Sequence, residues 1–115
     1  MKSPAFLGLC GALLASGAAF GHAKLLSTVP AAEAHLSKSP AALTLTFDEK
    51  VRLAMLQLTT ADRKIPVTLD RGAAEAAAVT IPLPVLAPGR YEVRWSALTV
   101  DDGHVVKGTY SFVIL

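Results

Sequence analysis

Residues 91–95 read Tyr91-Glu92-Val93-Arg94-Trp95, and this short stretch decides the fold. Successive side chains of an extended strand point to opposite faces. The order therefore places Tyr91, Val93 and Trp95 on one face and Glu92 and Arg94 on the other. Trp95 reads as core packing on the apolar face.

The same period recurs on both sides of this stretch. Leu43, Leu45 and Phe47 alternate with Thr44, Thr46 and Asp48, and Leu56 and Leu58 flank Gln57 in a strand expected over residues 53–60. Val67 and Leu69 flank Thr68, Val79 and Ile81 flank Thr80, and Tyr110, Phe112 and Ile114 close the chain. An opening strand is expected near Lys24–Thr28. Turn signals separate the runs at Ala61-Asp62-Arg63-Lys64, Arg71-Gly72, Ala87-Pro88-Gly89-Arg90 and Asp101-Asp102-Gly103. The result is an all-β prediction of about seven short strands, an antiparallel β-sandwich of immunoglobulin-like or cupredoxin-like type. Ala73–Ala78 has helix-forming composition but is too short to hold a helix alone, so a loop or irregular turn is expected there.

Composition narrows the function. A chain of 115 residues holds one domain, and 52% hydrophobic residues exclude a disordered one. A net charge of +2 without a basic stripe excludes a nucleic-acid footprint. The single cysteine excludes a disulfide framework and multi-cysteine zinc or iron–sulfur sites. There is no phosphate-binding glycine loop and no serine in a nucleophile-elbow context.

The first 21 residues read as a leader. Lys2 precedes an apolar run through Phe6, Leu7, Leu9, Leu13 and Leu14, and Ala19 and Gly21 stand at the −3 and −1 positions of a cut. This is the pattern of a cleaved secretory signal peptide over 1–21, with a domain over 22–115. Cutting there discards Cys10, leaves Met55 as the sole methionine and makes His22 the first residue.

An N-terminal histidine carries an α-amine and a ring Nδ1 within one residue, so it can chelate a metal ion in a closed ring. The amine titrates near about 7.8 and the ring near about 6.5 when unperturbed, so both can release protons to a metal close to neutral pH. Paired nitrogen donors suit tetragonal Cu(II) better than a hard cation. The second candidate is Asp102-Gly103-His104. In an extended conformation residues two apart share a face, about 6.5–7 Å between Cα atoms, and can reach one ion between them. Asp102 could instead act behind the ligands, orienting a ring. His22, His104 and a carboxylate together make a four-donor set of three nitrogens and one oxygen.

These segments resemble one family. His22-Ala-Lys-Leu-Leu-Ser-Thr-Val-Pro30, Leu36, Pro40, Leu43-Thr-Leu-Thr-Phe47, Glu49-Lys-Val51, Leu86-Ala-Pro-Gly-Arg-Tyr91-Glu-Val-Arg-Trp95, Asp102-Gly-His104, Gly108 and Phe112 follow, in order, the pattern of the CopC family of periplasmic copper-resistance proteins. The resemblance implies a small Greek-key β-barrel or sandwich that binds one Cu(II) per chain through His22, Asp102 and His104. It implies a periplasmic location, a carrier or buffer and not an enzyme, and an inner-membrane copper transporter of CopD type as partner. A monomer without stable membrane insertion is expected after processing. The stretch from Trp95 to His104 is about one residue longer than the family pattern, which leaves Asp101 as an alternative carboxylate. Some members hold Cu(I) among methionines; Met55 alone implies a Cu(II)-only protein. His35, between Pro30 and Pro40, is expected at the surface, with an auxiliary contact to the copper as a lesser alternative. The competing readings are a histidine-brace copper oxidase or monooxygenase and a metal-free immunoglobulin-like interaction domain.

Overall fold

A computed structural model describes residues 23–69 and 75–115. Seven strands occupy them: β1 (Leu25–Val29), β2 (His35–Leu36), β3 (Ala42–Thr60), β4 (Arg63–Ile65), β5 (Ala76–Pro82), β6 (Gly89–Thr99) and β7 (Val105–Ile114). Their hydrogen-bonded neighbours follow the path β1-β3-β6-β7-β2, with β4 and β5 also paired to β3. All pairs are antiparallel except β2 with β7. The all-β antiparallel sandwich predicted from alternation is the fold observed.

The inward row of β6 consists of Tyr91, Val93, Trp95, Ala97 and Thr99, all buried. From β3 come Leu43, Leu45, Phe47, Val51, Leu53, Leu56 and Leu58, and from β7 Tyr110, Phe112 and Ile114, all in one core. Two ring contacts show how the sheet closes over it. Tyr91 stacks on its cross-strand partner Phe112 at 5.5 Å between ring centroids. Phe47 meets Trp95 edge-on at 5.2 Å. Trp95 is paired with Leu56, nine positions beyond Phe47, so a straight β3 would hold Phe47 about 30 Å away. The contact therefore requires β3 to bend and carry the sheet back over itself.

One long strand replaces the two expected over 43–48 and 53–60. Its apolar residues keep odd positions through Leu53 and then shift to Leu56 and Leu58. The pairing with β6 has a matching irregularity between Leu53 and Met55. An extra residue there reverses the side-chain parity, and the bulge keeps both apolar sets facing inward.

Three local expectations are corrected. Val67-Thr68-Leu69 is not a strand: the partner of β3 at this edge is Arg63–Ile65, which begins inside the expected turn, because a tight Ala61–Asp62 turn pairs the chain at once. Ala76–Ala78 extends β5 and is not a loop, because Thr46 and Val51 supply its ladder partners. The third concerns Asp102-Gly103-His104: the turn signalled at Asp101-Asp102-Gly103 is present, and the extended spacing of Asp102 and His104 is not.

Candidate functional site

β6 and β7 form a hairpin whose loop carries the Asp-x-His motif. The Thr99 N–H donates to the His104 carbonyl at 2.9 Å, closing the hairpin, and the Gly103 N–H donates to the Thr99 carbonyl at 3.0 Å. Gly103 has φ +69°, a left-handed conformation that a residue without Cβ adopts at little cost. The turn draws the side chains on either side of it together: His104 Nδ1 lies 2.8 Å from Asp102 Oδ2.

Thr99 supports this pair from below. It is only 2% exposed and ends the inward row of β6. Its hydroxyl donates to Asp102 Oδ1 and accepts the His104 N–H at 2.9 Å. That same amide also lies 3.3 Å from Asp102 Oδ1. The Thr99 hydroxyl first, and then His104, hold the Asp102 carboxyl down at about 2, so it is a carboxylate at any physiological pH. Thr99 was absent from the sequence-derived candidates. Its signal was available as the one polar member of an otherwise apolar alternating row.

The candidate residues separate cleanly. Asp102, not Asp101, is the carboxylate against the ring; Asp101 is exposed in the turn. His35 is exposed and pairs with Val113, eight residues along β7 from Val105, about 26 Å from the hairpin loop. His35 thus lies at the opposite end of β7 from the hairpin loop. His22 and the leader over 1–21 lie outside the described residues. Among those described, Asp102 and His104 form a pair, and no group of three or more metal-binding side chains occurs.

The start of the described chain comes to the same place as the loop. Thr44–Thr46 pair with both β1 and β5, and Val51 pairs with both β5 and β6. A strand has two edges, so β1 and β6 share one edge of β3 while β5 takes the other. The start of β1 and the end of β6 thus face each other across Asp48–Lys50. The Lys24 N–H donates to Asp48 Oδ1 at 2.8 Å, and the Asp48 N–H donates back to the Lys24 carbonyl at 3.0 Å. Two residues further along, the Lys50 carbonyl accepts the Val100 N–H at 3.3 Å. These anchor points are about 7 Å apart along the strand.

Fold and site define a small Greek-key β-sandwich of cupredoxin-like kind with an anionic carboxylate and an imidazole side by side on an end loop. The chain belongs to the CopC family, a family of copper resistance proteins: the CopC domain matches residues 25–115. It is 31% identical to copper resistance protein C of Xanthomonas campestris pv. juglandis, over 92% of this chain and 90% of that protein. It is 33% identical to protein YobA of Escherichia coli K12, over 88% of this chain and 85% of that protein. Its structure is similar to that of CopC from Methylosinus trichosporium OB3b, with a TM-score of 0.66 and 28% identity, covering 81% of this chain and 93% of that one. It is also similar to Escherichia coli PcoC, described as a methionine-rich copper resistance protein, with a TM-score of 0.66 and 26% identity, covering 83% of this chain and 100% of that one.

Proposed function

We propose that this protein is a periplasmic carrier or buffer for Cu(II). It takes one cupric ion per chain through the α-amine and ring of His22, the ring of His104 and the carboxylate of Asp102. The observation that carries this reading is the meeting of two distant segments on one edge of β3. Lys24 is anchored at Asp48 and Val100 at Lys50, and His22 is two residues from the first anchor while His104 is four from the second.

The spacing of the pair supports the same reading. Two donors about 2.0 Å from one first-row ion and at right angles to each other are about 2.8 Å apart. His104 Nδ1 and Asp102 Oδ2 are separated by 2.8 Å, a hydrogen-bond contact that leaves both donors within reach of one ion. The ring can equally present Nε2 while Nδ1–H stays on the carboxylate, with Asp102 then orienting the ligand. The carboxylate supplies negative charge toward Cu(II) in either arrangement.

Four protein donors fill the equatorial plane of a tetragonal ion and leave little room for a substrate, which favours a carrier over an oxidase or monooxygenase. Cleavage after Gly21 is what frees the amine. Export to the periplasm, a monomeric state and delivery to or from an inner-membrane copper transporter of CopD type complete the proposal.

The test is titration of protein whose processed N-terminus has been verified by intact mass. Tight, one-to-one Cu(II) binding is expected, with His22→Ala and His104→Ala each weakening it by more than about 100-fold, beyond the usual effect of a residue behind the ligands. A Met preceding His22 should act like His22→Ala, because the amine is then moved to another residue. Unchanged binding in both histidine variants would sink the proposal.

A further inference from the structure

We propose that Thr99 is a positioning residue for the copper site, its buried hydroxyl bridging the Asp102 carboxylate and the His104 backbone amide so that the two donors are held side by side. The inference rests on the proposed Cu(II) function and extends it to a residue that does not touch the ion.

Thr99 ends a row whose other members, Tyr91, Val93, Trp95 and Ala97, belong to the hydrophobic core. A hydroxyl at this depth needs partners, because an unpaired buried polar group is costly. It finds them only in the loop: its one proton goes to Asp102 Oδ1, and its oxygen takes the His104 N–H at 2.9 Å. The backbone of Thr99 is meanwhile fixed on both sides. It pairs with Val51 of β3, and its own N–H and C=O bind His104 and Gly103. The hydroxyl is thus a polar contact from rigid core to exposed donor pair. Asp102 and His104 are 37% and 53% exposed in their side chains, so packing alone does not orient them. Donors held in place before the ion arrives spare binding the cost of ordering them.

The experiment compares Thr99→Val, which keeps shape and removes the hydroxyl, with Thr99→Ser, which keeps the hydroxyl. Both are read in processed protein by chelator competition for Cu(II), by the electron paramagnetic resonance spectrum of the copper form, and by hydrogen exchange at the His104 amide of the copper-free form. Thr99→Val should bind Cu(II) about 10- to 100-fold more weakly, with an altered spectrum and faster exchange. Thr99→Ser should stay within about 3-fold of the parent, since it retains both hydrogen bonds. If Thr99→Val does not fold, Thr99→Ala carries the same expectations. A folded variant lacking the hydroxyl that competes for Cu(II) like the parent, with the parent spectrum, overturns the inference. His104→Ala separates the two claims. If it loses copper while Thr99→Val does not, the Thr99 inference alone fails; if it and His22→Ala both keep copper, the copper reading itself fails.

Discussion

The two ends of β6 use one device for opposite purposes. At the start, the Tyr91 hydroxyl donates to the Ala87 carbonyl at 2.6 Å, four residues back along the chain. At the finish, the Thr99 hydroxyl donates to Asp102 Oδ1, three residues ahead. Both hydroxyls rise from the same inward row and reach into the adjoining connection. At the Tyr91 end the ring lies in the core, stacked on Phe112, and the bond ties a loop to that core. At the Thr99 end a small side chain leaves nothing to stack, and the bond falls on the exposed Asp102–His104 pair. The first end stabilises the fold; the second spends its hydrogen bonds on orientation.

The strongest way to break the comparison acts through the core. Phe112→Ala removes the ring beneath Tyr91 and should destabilise the domain by about 3–5 kcal/mol, measured by denaturant unfolding. The Cu(II) affinity of the molecules that remain folded should stay within about 3-fold. A matching loss of copper affinity would mean that the two ends are coupled through β6 and β7.

Tyr91→Phe is a smaller and sharper change. It removes only the bond to Ala87 and should cost about 0.5–1.5 kcal/mol of stability, again with unchanged copper binding. A copper defect in this variant would erase the division of labour between the two ends.

The smallest effect is electrostatic. Asp102 is held at about 2 against an ordinary 3.8 by Thr99 and His104. A depressed carboxylate contributes stability in full above its unfolded value, and loses it as pH falls through the folded one. The contribution should therefore be complete above about pH 4 and disappear toward pH 2, as followed by carboxyl carbon resonances. A midpoint near 4 would show that the hydrogen bonds do not hold in solution.

Much of this was legible in the chain. The alternation at Tyr91–Trp95, Leu43–Phe47 and Tyr110–Ile114 marks the buried rows, because in a strand each side chain's face is set by position alone. Asp102-Gly103-His104 was legible as a carboxylate and an imidazole beside a turn, although the extended spacing of the two is replaced by a left-handed glycine turn. The continuity of β3 was not legible: Phe47 to Val51 carries three polar residues and Leu53 to Leu56 changes parity, so the local pattern breaks where the strand does not. Val67–Leu69 alternates yet forms no strand, since alternation cannot say whether a partner edge is available. Thr99 stands out in the chain only as the polar member of an apolar row, and the partners of its hydroxyl are set by the fold of the loop.

The sequence by itself determined that the protein is all-β and which faces of its main strands are apolar, and it put a carboxylate and an imidazole two residues apart at Asp102 and His104. These are local properties, set by side-chain type and the two-residue period of a strand. Only the tertiary structure decided that Lys24 and Val100 anchor two residues apart on one edge of β3, that His35 stands far from His104, and that Asp102, not Asp101, meets the ring. Such placements depend on which distant segments pair and where a strand bends or bulges. They are settled by closing one core around Phe47, Trp95 and Phe112, a condition on the whole chain that no short stretch contains.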